Sequence, residues 1–174
     1  MGYSYTGKPL SLKYRGLGAP TVFLLFGPLM VIGSYYVQMQ SISTQAIFIS
    51  IPIGLLTTAI LHANDIRDIL HDQKSGIKTL SIIVGKRFSK IIYCCLLIIP
   101  YICLVVLSIY TIIPYWSLVC LITIPSAYKN IKELYSSGDT ALGIENLDKH
   151  TAQFHAKFST ILTFSLLDRK STRL

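Results

Sequence analysis

Long apolar runs alternate along this chain with short charged segments. Residues 20–37 (PTVFLLFGPLMVIGSYYV), 46–63 (AIFISIPIGLLTTAILHA), 91–110 and the shorter 115–128 are almost free of charge, and a fifth run begins at 158–167. A membrane-spanning helix needs about 20 mostly apolar residues to cross the hydrocarbon layer, so the pattern predicts four spans and the start of a fifth. Pro20 suits a helix start, and Tyr35 and Tyr36 suit an interfacial belt. Ser50, Gly54, Thr57 and Thr58 give the second run the small residues of a close helix contact. Pro28, Pro52, Pro100 and Pro125 lie inside the runs. Membrane helices tolerate such prolines because neighbouring groups re-satisfy the freed carbonyls, so several helices are expected to be kinked.

Charge sharpens the span assignment. Of the 174 residues, 52% are hydrophobic and 14% charged, against about a quarter charged in average soluble domains. All 16 Lys and Arg fall before the first run, between runs two and three, after run four, or in the tail. The connections 38–45 and 111–114 carry no charge. Four spans place the basic segments that precede the tail on one face, which the positive-inside rule makes cytoplasmic. The net charge of +8 is thereby explained by a lipid bilayer. No basic stripe interleaved with aromatics is present, so no nucleic acid is expected as a partner. Cys94, Cys95, Cys103 and Cys120 sit inside apolar runs without metal-ligand spacing, as packing residues do. No signal-peptide or myristoylation pattern opens the chain.

Candidate chemistry gathers where run two ends, in Asn64-Asp65-Ile66-Arg67-Asp68-Ile69-Leu70-His71-Asp72. Asp68 and Asp72 are four apart, so on a helix they share a face one turn apart, with Asp65 nearby and Asn64 four before Asp68. Clustered carboxylates at the mouth of an apolar bundle suit a hard cation; Mg²⁺ takes one or two carboxylates plus phosphate oxygens and water. Arg67 lies within the motif, and Lys74, Lys78, Lys86 and Arg87 follow it. Carboxylate-bound Mg²⁺ together with Lys and Arg is how a diphosphate is held and its departing charge stabilised. The bland alternative is a solvated cap whose aspartates pair with nearby lysines. His62 reads more simply as a hydrogen-bonded helix-end residue than as a ligand, and His150 and His155 form no HExxH pattern.

The run from Asn64 through Asp68, Asp72, Gly76, Thr79 and Leu80 to Val84-Gly85 resembles the second aspartate-rich motif of UbiA-type intramembrane prenyltransferases. Tyr5-Thr6-Gly7, Lys13-Tyr14-Arg15-Gly16-Leu17-Gly18 and Phe26-Gly27-Pro28 resemble a loop and span of the 1,4-dihydroxy-2-naphthoate polyprenyltransferases and their animal UBIAD-type relatives. So does Leu147-Asp148-Lys149-His150-Thr151-Ala152-Gln153-Phe154-His155. Ala19 departs from the acid usual in relatives. The resemblance implies an all-α membrane protein, with about five transmembrane helices of a nine-helix bundle. It implies an isoprenyl diphosphate, Mg²⁺ and an aromatic acceptor, with Asp68 and Asp72 as the catalytic Mg²⁺–diphosphate aspartates. Asp65 would join them as a metal ligand, with Asn64, Arg67 and Lys78 at the diphosphate. Menaquinone or phylloquinone synthesis follows, in a bacterial inner membrane or a plastid-type equivalent.

The family's first motif, of the type NxxxDxxxD, would stand in addition to Asn64, Asp68 and Asp72, and no second stretch of that spacing occurs in the 174 residues. Residues 1–167 therefore resemble the C-terminal part of such an enzyme, not expected to catalyse alone, and 168–174 resemble a non-native tail. Two other readings stand beside naphthoate prenylation: transfer to homogentisate or 4-hydroxybenzoate, and a non-catalytic membrane protein that binds isoprenyl diphosphate. Tyr93, Tyr101 and Tyr110 could line a prenyl cavity, although packing is the simpler role for each. A further NxxxDxxxD segment upstream in the same reading frame is the outcome expected of an enzyme. Binding of geranylgeranyl diphosphate with no product formed is that expected of a binding protein.

Overall fold

A helix that is apolar on every side needs neighbours on one face and lipid on the other. The computed structural model describes residues 16–136 and 143–171, with side chains through residue 167. All its elements are helical. Helix α1 (Gly18–Met39), α2 (Thr44–Arg67), α3 (Ile69–Lys74) and α4 (Leu80–Ile109) are followed by a 3₁₀ stretch, Tyr115–Thr123. That stretch runs into α5 (Ile124–Ser136), and α6 (Leu147–Ser171) closes the described chain.

Among the described residues three helices, α1, α2 and α4, are long and apolar enough to cross a membrane, in keeping with the all-α membrane fold expected. The fourth run is divided between the 9-residue 3₁₀ stretch and the 13-residue α5, whose later turns carry Lys129, Lys132 and Glu133. Helix α6 has 25 residues, but Asp148, Lys149, His150 and Lys157 occupy its first half. The third run also begins earlier than its apolar stretch, at Leu80. Lys86, Arg87 and Lys90 are good helix formers, and propensity extends α4 where hydropathy alone stops.

Prolines and a glycine both shape these helices. Pro28 sits in a wider π-helical turn, Leu25–Leu29, within α1. That turn absorbs the missing N–H and the ring's clash with the preceding carbonyl. Pro125 lies in the first turn of α5, where no N–H is needed. In α4 the helical dihedrals break at Gly85 (φ 79°, ψ 161°) rather than at Pro100, a conformation essentially restricted to glycine. Ser89 Oγ then donates to the Ser81 carbonyl at 3.3 Å, across the break.

Helix α2 is central, packing against α1, α4 and α6. Its approach to α1 is a backbone contact: a Cβ added at Gly54 would lie 3.0 Å from Gly27 Cα and 3.0 Å from the Phe23 carbonyl. Of the expected small residues, Gly54 and the Ser50 carbonyl meet α1, whereas Thr57 faces α6. On its other sides Leu56, Ala59, Ala63 and Ile66 join Tyr93, Leu97 and Leu104 of α4 and Phe154 and Phe158 of α6 in one buried cluster. The Tyr101 ring meets Phe158 edge-on at 5.6 Å between centroids. Outward, Ile91, Ile98, Ile102 and Ile109 of α4 are exposed, a stripe suited to lipid. Tyr110, Tyr115 and Trp116 are exposed beside the uncharged 111–114 connection, as an interfacial belt requires.

Gly54→Ala should cost ~1–3 kcal/mol of stability through overpacking, read as a lowered melting temperature in detergent. Gly33→Ala, where an added Cβ meets nothing within 4 Å, should be neutral or slightly stabilising. A Gly54→Ala protein that melts with the wild type contradicts the close contact.

Candidate metal–diphosphate site

The polar segment continues α2 past its last apolar turn. Asp68 leaves the helix in the bridge region (φ −94°, ψ 7°) and serves both as the end of α2 and as the residue before α3. The turn is not lost there: Asp68 N–H donates to the Asn64 carbonyl at 3.0 Å, and Asp72 N–H to the Asp68 carbonyl at 2.9 Å. Asp68 and Asp72 are therefore one turn apart, as their spacing predicts. Ser75, Gly76 and Ile77 close α3 in a Schellman motif. Ile77 N–H bonds the Asp72 carbonyl at 2.9 Å and Gly76 N–H the Gln73 carbonyl at 3.2 Å, with Gly76 at φ +70°. That geometry explains why a glycine stands four residues after Asp72: it fixes the backbone that carries the second carboxylate.

Arg67 organises the side chains. Its Nε lies 2.8 Å from Asp68 Oδ1 and its Nη2 3.0 Å from Asp68 Oδ2, a bidentate pair. Nη2 also donates to Asn64 Oδ1. Nη1 reaches a second helix, 2.7 Å from Asp148 Oδ2 in the first turn of α6. The residue expected at the diphosphate thus ties two motif residues to α6. Asp148 is the partner that sequence reasoning missed. It was visible only as part of the LDxxTAQxH pattern, and the available signal was an arginine inside a membrane-edge motif in need of a second anion.

The remaining candidates divide. Asp72 keeps 15% of its side chain exposed and Asp68 34%, with both oxygens of Asp68 on Arg67. Asp65 is buried, 5% exposed, within the packing of α2. Lys78 lies exposed on the connection to α4, and among the described residues no ion pair joins it to Asp68 or Asp72. No three His, Cys, Asp or Glu are gathered as a metal-binding group among the described residues. Asp68 and Asp72 nevertheless supply the one or two carboxylates that Mg²⁺ ordinarily takes, and their oxygens suit a hard cation. His62 is fully buried and its Nε2 donates to the Ser89 carbonyl at 3.0 Å, the structural role expected of it.

The LDxxTAQxH segment is the seam between α6 and the other helices. Thr57 Oγ1 donates to the Ile53 carbonyl and so accepts from His155 Nε2 at 3.0 Å, while Ser159 Oγ donates to His155 Nδ1 at 2.9 Å. Thr151 Oγ1 donates to the Leu147 carbonyl and accepts from buried Tyr93 OH at 2.6 Å. His150 Nδ1 lies 2.7 Å from Glu133 Oε2 of α5. Tyr101 OH bonds Thr123 Oγ1 at 2.6 Å. Tyr93 and Tyr101 are packing residues here, and Tyr110 is exposed. Tyr5, Thr6, Gly7, Lys13, Tyr14 and Arg15 lie outside the described residues, as do the side chains of the expected 168–174 tail. Gly16 follows at φ +73°, and a Cβ there would collide with the Ile83 side chain, which places Gly16 against the start of α4.

Comparison with known proteins points the same way. The family model described as "UbiA prenyltransferase family" matches residues 1–141. The UbiA prenyltransferase domain-containing protein 1 of Gallus gallus is 33% identical over 169 residues, covering 95% of this chain and 47% of the relative. The 1,4-dihydroxy-2-naphthoate octaprenyltransferase of Bacillus subtilis (strain 168) is 32% identical over 167 residues, covering 96% of this chain and 53% of the relative. A Drosophila melanogaster homolog of the first is 34% identical over 128 residues, covering 73% of this chain and 34% of the relative. The chain spans about half the length of the curated relatives it matches.

An alanine at Gly76 meets no steric obstacle within 4 Å, so its cost is set by the positive φ alone, ~1–2 kcal/mol. Gly76→Asn should cost less, because asparagine tolerates this region. Equal melting temperatures for Gly76→Ala and wild type contradict the Schellman assignment.

Proposed function

The chain belongs to the UbiA prenyltransferase family, and on that premise we propose that it contributes the Mg²⁺–diphosphate site of a membrane enzyme that transfers a polyprenyl group to an aromatic acceptor. The acceptor proposed is 1,4-dihydroxy-2-naphthoate, supported by the Bacillus subtilis relative so named and by the LDxxTAQxH segment. The observation that carries the reading is the pair Asp68 and Asp72, partly exposed and one helical turn apart beside Arg67.

Asp68 and Asp72 would hold Mg²⁺, with Asp65 behind them. Asn64, Arg67 and Lys78 would face the diphosphate. Mg²⁺, when bound, supplies the charge that stabilises the departing diphosphate. The allylic carbon–oxygen bond would break with departure of diphosphate, the aromatic ring would form the new carbon–carbon bond, and the attacked ring carbon would recover aromaticity by releasing a proton or its carboxyl group as carbon dioxide. Arg67 is suited to the diphosphate because its planar fork matches phosphate oxygens as well as carboxylates. A second acidic motif, which these 174 residues do not contain beside Asn64–Asp72, would complete the site.

The charged ends of α2, α4, α5 and α6 meet at one end of the bundle. Arg67 bonds Asp148, and Lys90 stands over the Tyr135 ring at 5.6 Å. This supports an orientation with the aspartates on the cytoplasmic side.

The test is Mg²⁺-dependent prenylation of 1,4-dihydroxy-2-naphthoate by membranes containing the protein expressed from its complete reading frame. Asp68→Asn and Asp72→Asn should each reduce product roughly a hundredfold or more, and EDTA should remove the activity. Wild-type rates in both variants contradict the site. Preference for homogentisate or 4-hydroxybenzoate under the same conditions contradicts the acceptor alone.

A further inference from the structure

Asp148 belongs to another helix than the aspartate-rich segment, yet it shares the same guanidinium. Its Oδ2 lies 2.7 Å from Arg67 Nη1, while its Oδ1 is buried and has no hydrogen-bond partner. A buried carboxylate oxygen is costly to keep unpaired. Across the same guanidinium, both oxygens of Asp68 are occupied by Arg67. A cation approaching Asp68 therefore has to compete with a full positive charge already seated there.

We infer that Asp148 is a positioning residue for the cation site: it neutralises Arg67 and holds it while Asp68 turns from the guanidinium to the metal. The inference rests on the proposed metal role of Asp68. Without Asp148, Arg67 either stays clamped on Asp68 or remains as an uncompensated cation beside the incoming one, and both weaken metal binding. With Asp148, Arg67 keeps an ion pair when Asp68 leaves, and the unpartnered Oδ1 offers a second acceptor for a bidentate pair. Glu133, another acid at this end of the bundle, is already bonded to His150. Arginine suits the exchange because its fork can serve two carboxylates at once.

The test uses Mn²⁺ as the probe, without prenyl substrate, on the protein expressed from its complete reading frame. The electron paramagnetic resonance signal of free Mn²⁺ reports its binding. Asp148→Asn, which keeps shape and removes charge, should weaken Mn²⁺ binding roughly tenfold. Asp148→Ser, well tolerated near a helix start, should do the same and serves if the first variant does not fold. In an Arg67→Gln background the Asp148→Asn change should add little, because the charge it answers is gone. A purely structural tie between α2 and α6 would lower the melting temperature and leave Mn²⁺ affinity unchanged. That result, or an equal loss with and without Arg67, overturns the inference. Asp68→Asn separates the two readings. If it leaves Mn²⁺ binding intact, the metal site falls and the positioning role with it. If it abolishes binding while both Asp148 variants bind like wild type, only the positioning role is lost.

Discussion

A guanidinium at the edge of an apolar bundle must be surrounded by acceptors, because the low-dielectric side offers it no water. Arg67 meets that constraint with Asn64 and Asp68 from its own segment and Asp148 from α6. The consequence reaches beyond one ion pair. The last turn of α2 is oriented, the start of α6 is anchored beside it, and the carboxylate of Asp68 is held at the bend where α3 begins. The polar site and the helix packing are fixed by the same residue.

Within the bundle, buried polar side chains link the helices in a similar way. Tyr93 with Thr151, His155 with Thr57, Tyr101 with Thr123 and His62 with the Ser89 carbonyl each connect different helices or helical segments. Surrounded by apolar groups, each such pair satisfies donors that would otherwise be stranded, and it specifies which helix lies against which. The Gly27–Gly54 contact does this by shape instead: two missing side chains let α1 and α2 meet at backbone distance. The glycine contact and two of these pairs, through Thr57 and His62, involve α2, whose far end carries the aspartates.

Much of this was legible in the sequence. The apolar runs located α1, α2 and most of α4. The i, i+4 spacing of Asp68 and Asp72 survived the bend between α2 and α3, because the Asn64–Asp68 and Asp68–Asp72 backbone bonds carry the turn across it. Other features depend on tertiary contacts and left no local trace. Hydropathy could not show that Leu80–Lys90 is helical, since the run there is interrupted by charges that helices accept. It marked Tyr115–Tyr128 as one span, although the residues divide between a 3₁₀ stretch and α5. It placed kinks at prolines, whereas α4 breaks at Gly85. The Arg67–Asp148 pair joins positions far apart in the chain, and spacing rules say nothing about it.

The aspartate-rich turn is thus a hydrogen-bonded piece of backbone with two partly exposed aspartates, bounded by a Schellman glycine on one side and an arginine clamp on the other. Its proposed chemistry is tested most directly by a structure of the protein, expressed from its complete reading frame, with Mg²⁺ and a non-hydrolysable isoprenyl diphosphate. Carboxylate oxygens of Asp68 and Asp72 about 2.1 Å from Mg²⁺, the usual distance for this cation, with the diphosphate on the same ion, are the predicted result. Mg²⁺ and diphosphate bound elsewhere, with Asp68 still paired to Arg67, would contradict it.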